Sequence, residues 1–217
     1  MCHEEYNNDD MTTVFELLLI TILPSLFLLI YFIKLDKYPE PTPIIILTVL
    51  LGIIICFPAG YLNSILIPND NFDFLAAITE EPLKFLILYF FIKGRNFFDE
   101  PMDGIVYGVC VSLGFATYEN FDYVFNLTES FEEAFWMAGV RSFSAVPLHA
   151  LCGAIMGYHF GQYVFEKQKH HLFLSLLIPI AFHAIYNFFA GFDALYYLIV
   201  ILIMLIYFFE IIKKVKQ

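Results

Sequence analysis

The feature that most constrains this chain is the length of its unbroken apolar runs. Ile44 to Leu66 and Leu195 to Phe209 contain almost no polar residue and no stripe at helical period that could face water. Segments of this kind need lipid as their solvent. Composition agrees: of 217 residues, 60% are hydrophobic and only 15% charged, more apolar surface than one soluble core of this size can hide. The net charge of -11 comes with no basic stripe, so nucleic acid is not an expected partner. Cys56, Cys110 and Cys152 lie inside apolar runs and Cys2 at the start, a pattern of buried small hydrophobes instead of a disulfide framework. The residues ahead of the first run are acidic (Glu4, Glu5, Asp9, Asp10), with no small-residue cleavage site after it, so the first helix is expected to remain.

The runs predict an all-α polytopic membrane protein forming a single domain over 1–217, with seven spans at 14–33, 43–66, 73–92, 103–125, 136–164, 172–190 and 194–212. The fifth exceeds the roughly 20 residues a bilayer needs, so part of it should tilt or lie at the interface, with Pro147 as a kink point. Basic residues set the orientation, because cytoplasmic loops retain them. Lys34, Lys37, Lys93, Arg95, Lys167, Lys169, Lys213, Lys214 and Lys216 all follow odd-numbered spans, whereas the alternate ends carry acids such as Asp70, Asp73, Glu129 and Asp193. The N-terminus is therefore expected outside and the C-terminus in the cytoplasm.

Two basic residues, Lys84 and Arg141, fall within spans, and they have company. Span three carries Glu80, Glu81 and Lys84; span four, Glu119 and Asn120; span five, Arg141 and His149; span six, His183 and Asn187. An ionisable side chain at mid-membrane costs on the order of 2.5–3.5 kcal/mol on insertion scales, so each marks a candidate site. At 1.5 Å per residue, Glu80, Glu119 and His183 all lie about 10 Å below the outer surface, with His149 level or deeper. Spans three to six thus form an expected four-helix catalytic bundle. Gly104, Gly108, Ser112, Ala116 and Asn120 make a small-residue ridge on span four, and His149, Gly153, Gly157 and Gly161 make another on span five. Such ridges let helices approach closely in lipid. Each polar residue also has a plainer reading: Lys84 neutralising Glu80, Arg141 pairing with an acid near the interface, His159, His170 and His171 as bystanders near the cytoplasmic end.

Two histidines level with carboxylates suit two chemistries. His149, His183, Glu80, Glu81 and Glu119 include enough ligands for a zinc ion with an open position. Alternatively a glutamate acts as general base on water, with a histidine and Asn187 stabilising the oxyanion. Both remain open. No G-x-S-x-G elbow or paired cysteine points to a covalent nucleophile. A proton- or cation-coupled transporter is the alternative from another class, although paired broken helices and inverted repeats are missing.

Several stretches resemble the PrsW intramembrane proteases: Glu80-Glu81-Pro82-Leu83-Lys84, the segment from Asp103 to Gly108, Leu113 to Asn120, Leu148 to Leu151 with its glycine ridge, and His183 to Asn187. The loop from Asp36 to Pro41 is similar as well. The resemblance implies a protease of a bacterial-type plasma membrane that cuts single-pass regulatory proteins, typically anti-sigma factors, near their extracytoplasmic side. It also implies catalysis by Glu80, Glu81, His149 and His183, with Asn187 in an orienting or oxyanion role. The distantly similar CAAX prenyl endopeptidases usually carry Arg one residue after the position of Lys84.

Overall fold

A proline or a small polar capping residue begins several of the helices. In a computed structural model describing residues 8–216, the chain forms eight α-helices: α1 (Asn8–Leu35), α2 (Thr42–Leu66), α3 (Ala76–Ile87), α4 (Pro101–Phe125), α5 (Phe131–Phe143), α6 (Ala145–Val164), α7 (His170–Ala190) and α8 (Ala194–Val215). Cys2, Glu4 and Glu5 lie outside the described residues. Pro41 and Pro43 open α2 and Pro101 opens α4, positions where a missing N–H is harmless. Ser130 and Asp193 cap α5 and α8 by accepting backbone N–H bonds from Glu133 and Leu195. No strand occurs among the described residues.

Four helices, Met11–Leu35, Thr42–Leu66, His170–Ala190 and Ala194–Val215, are long and apolar enough to cross a membrane. Their outward faces carry large hydrophobic side chains such as Phe27, Phe57, Phe173 and Ile206, a surface that water would not tolerate and lipid covers. Buried Cys56, Cys110 and Cys152 are free thiols, as their apolar settings predict.

Two expected spans differ from the structure. The fifth is not continuous: α5 ends at Phe143, Ser144 leaves helical geometry (φ -127, ψ -73), and α6 starts at Ala145. Pro147 is the physical reason, but the break falls upstream of it. The proline has no N–H for the Phe143 carbonyl and its ring crowds that carbonyl, so the chain turns at the next residue. The third span is a short α3 preceded by a 3-10 turn, Asp70–Leu75, and followed by a π-helical turn, Leu88–Ile92.

Helix α4 lies at the centre, and most of its residues are buried. The two predicted small-residue ridges face each other. A Cβ on Gly104 or Gly157 would collide with the other's carbonyl, and the same holds for Gly108 and Gly153. On another side of α4, Gly114 meets the backbone of α2 at Val49, and Gly52 of α2 meets Val111. Backbone-to-backbone contact of this kind holds α4 and α6 in a fixed relation. That relation sets where Glu119 and His149 stand.

Candidate active site

The site begins on one turn of α3. Glu81 and Lys84 are both fully buried, and Lys84 Nζ lies 2.7 Å from Glu81 Oε1. Glu80, at i, i+4, is a helical neighbour of the lysine too, but its Oε2 is 3.9 Å away, so Glu81 at i, i+3 is the closer ion pair. Lys84 Nζ also contacts His149 Nδ1 at 3.0 Å and sits over the Phe115 ring, 4.2 Å from its centroid. An ammonium has only donors, so His149 Nδ1 accepts and its proton resides on Nε2. That N–H donates to Glu119 Oε2 at 3.0 Å.

The chain of bonds continues to the outer helices. Arg141 on α5 donates to Glu119 Oε2 at 2.5 Å and, through Nε, to Asn120 Oδ1 at 2.7 Å. Asn120 in turn donates to the Thr21 carbonyl of α1 at 3.0 Å. On the other side, His183 Nδ1 donates to Glu81 Oε1 at 2.8 Å. The His149 and His183 rings meet edge to face, centroids 5.0 Å apart. Glu80, Glu81, Lys84, Glu119, Asn120, Arg141, His149 and His183 therefore form one polar network drawn from α3, α4, α5, α6 and α7. Charges this deep are held in place by mutual pairing, since each left alone would cost several kcal/mol.

Beside the network is a cavity of about 1370 Å³ lined by Glu80, Glu119, Arg141, His149, His183 and Asn187. Glu80 reaches it in a different state from Glu81. Its Oε1 accepts from Asn63 Nδ2 at 3.2 Å, while its buried Oε2 has no hydrogen-bond partner. His183 Nε2 lies 3.9 Å from that oxygen. Asn187 lines the same cavity one turn along α7, but its amide donates to the Asp73 carbonyl at 3.2 Å instead of to a glutamate or histidine. Asn63 on α2, Thr79 on α3 and Phe115 on α4 also belong to the site; nothing in the sequence marks the first two, and Phe115 stands only as one residue of the Leu113–Asn120 stretch. Thr79 donates to Asn63 and so steers it toward Glu80. His159 and His171 bond to each other outside this network.

A metal has suitable donors here. Glu80, His149 and His183 each offer one atom within 4.8 Å of the others. Glu80 Oε2 is a buried oxygen without a partner, and two histidines with one glutamate are a common catalytic zinc environment. Glu81 behind His183 Nδ1 fixes the ring so that Nε2 would be left to ligate, an arrangement typical of the support given to metal-bound histidines. His149 has both nitrogens engaged and would exchange one of those bonds to ligate.

Fold and site together define a helical integral membrane protein with a buried carboxylate–imidazole centre open to a cavity. The profile of the PrsW family intramembrane metalloproteases matches residues 40–211. Among curated proteins, Protease PrsW of Bacillus subtilis is 38% identical over 178 residues, covering 77% of this chain and 79% of that protein. Protease PrsW of Geobacillus kaustophilus is 35% identical over 184 residues, covering 80% and 79%. Protease PrsW of Clostridioides difficile is 31% identical over 188 residues, covering 80% and 78%. No solved structure matches the chain significantly. The chain belongs to the PrsW family of intramembrane proteases, which sets it among peptidases and not among transporters.

Proposed function

We propose that this chain hydrolyses a peptide bond in the membrane-spanning segment of single-pass regulatory proteins of the anti-sigma-factor kind, near the extracytoplasmic surface. One observation carries the reading: Glu80 Oε2, buried and unpartnered, stands 3.9 Å from His183 Nε2 at the wall of a cavity large enough for an unwound strand. A single water can bond to both atoms and pass a proton to one of them as it attacks the scissile carbonyl. The same proton then goes to the departing amine. Glu81 keeps His183 in the tautomer whose Nε2 faces the cavity, and takes up part of the charge when that nitrogen is protonated. Lys84 balances Glu81, and Arg141 holds Glu119 against His149.

Glu80, His149 and His183 are the residues that would hold a metal. When bound, the ion supplies Lewis-acid polarisation of water and carbonyl. Within lipid, a substrate helix must first unwind, because its own hydrogen bonds cover the carbonyl to be attacked. The distribution of basic residues between alternate loops supports seven spans with the N-terminus outside, and thus a site near the outer surface.

Co-expression with tagged single-pass proteins tests the proposal. The wild-type chain should release a fragment from at least one of them, whereas Glu80→Gln, which leaves the Lys84–Glu81 pair in place, and His183→Ala should release none while inserting at normal levels. Both changes remove chemistry and little apolar surface. Undiminished cleavage by either variant overturns the assignment.

A further inference from the structure

A second group of acids lies at the other end of α4. Asp36 and Glu40 come from the loop between α1 and α2; Glu100 is the N-cap of α4, and Asp103 is in its first turn. Asp36 is 7% exposed, Glu40 8% and Asp103 0%. Ordinary structural duties account for part of the group. Glu100 and Asp103 form a reciprocal capping box, with Asp103 Oδ2 accepting from the Asp99 and Glu100 N–H groups at 2.7 and 2.8 Å. Asp36 Oδ1 accepts from the Tyr38 N–H at 2.9 Å, and the Tyr107 hydroxyl donates to Glu40 Oε2.

Two oxygens remain after those duties. Asp36 Oδ2 and Asp103 Oδ1 are buried and have no partner. Asp36, Glu100 and Asp103 each offer an oxygen within 4.8 Å of the others. Among the described residues, no lysine, arginine or histidine pairs with any of the four acids. The positive end of α4 favours Glu100 and Asp103, but it leaves unexplained why a third acid from a distant loop, with one buried oxygen unbonded, joins them. Buried carboxylate oxygens without donors are costly unless a cation or protons meet them.

We propose that Asp36, Glu100 and Asp103 bind one hard divalent cation, Mg2+ or Ca2+, that clamps the α1–α2 loop to the start of α4. An all-oxygen, carboxylate-rich donor set selects such ions over zinc. The site is separate from the glutamate–histidine centre: Asp103 and Glu119 are about 24 Å apart along α4 at 1.5 Å per residue. By the orientation proposed above, the clamp faces the cytoplasm, where it would brace the central helix from the end opposite the chemistry.

Equilibrium dialysis of the purified full chain in micelles, stripped with chelator, tests this with Mg2+ and Ca2+ separately. The wild type and His183→Ala should each take up one ion per chain, and Asp36→Asn should take up none. The amide oxygen introduced by Asp36→Asn can still accept the Tyr38 N–H, so the loop's own bond survives the change, and α4 keeps its cap. A melting series adds a check that does not depend on stoichiometry: the ion should raise the wild-type midpoint and leave that of Asp36→Asn where it is in chelator. No saturable uptake of either ion by the wild type, or equal uptake by Asp36→Asn, overturns the proposal.

Discussion

Arg141 holds two acceptors with one planar head, Glu119 through a terminal nitrogen and Asn120 through Nε. Lysine at this position keeps the charge but offers a point donor where a fork is needed. We expect Arg141→Lys to lower kcat on the order of 10-fold with little change in KM, a loss typical of residues that orient ligands or bases. A change confined to KM would show instead that Arg141 contacts the substrate. Glu80, Glu81, His149 and His183 are legible in the sequence because lipid makes ionisable residues conspicuous. Asn63 and Thr79 are not, since single hydroxyls and amides near a helix end carry no such signal. Phe115 falls within the Leu113–Asn120 stretch, but one aromatic among many says nothing about the ammonium beneath it. The closer partner of Lys84 is not legible either. Neighbours at i, i+3 and i, i+4 are equally near on a helix, and His149 draws the side chain toward Glu81.

Helix α6 can carry His149 to Glu119 only because glycines let it lie against α4. Gly157 faces the Gly104 carbonyl with no room for a methyl group, while nothing lies within 4 Å of a Cβ built on Gly139 of α5. Gly157→Ala should therefore destabilise the chain by about 1–3 kcal/mol, the usual cost of overpacking. Gly139→Ala should be neutral or slightly stabilising, since alanine is the better helix former. Thermal melting in micelles measures both, and equal midpoints for the two variants would contradict the account of α4 and α6. The ridges themselves are readable from the four-residue spacing of small residues. The division of the fifth span is half readable: its length and Pro147 foretell a bend, but the position depends on which carbonyl the proline deprives of a donor. The family-like stretches from Asp36 and from Asp103 do not reveal that these acids meet at the start of α4, because they are far apart in sequence and acids at helix ends are common.

At the scale of the whole molecule, apolar surface outside and charge inside reverse the arrangement of a soluble protein. Large side chains such as Phe90, Trp136 and Phe143 face outward, while Glu81, Lys84 and His149 are fully or almost fully buried. Buried charge at this density is expensive to hold, and the network of opposite charges reaching from Glu81 to Arg141 offsets the cost. Its position beside a cavity is what ties stability to chemistry. The most direct test is cleavage by the purified chain in proteoliposomes containing one single-pass substrate, in water enriched in oxygen-18. The account predicts two fragments whose new ends lie in the outer turns of the substrate's membrane segment, with the heavy oxygen in the new carboxylate and no product from Glu80→Gln. Intact substrate with the wild type, or fragments formed equally by Glu80→Gln, would contradict it.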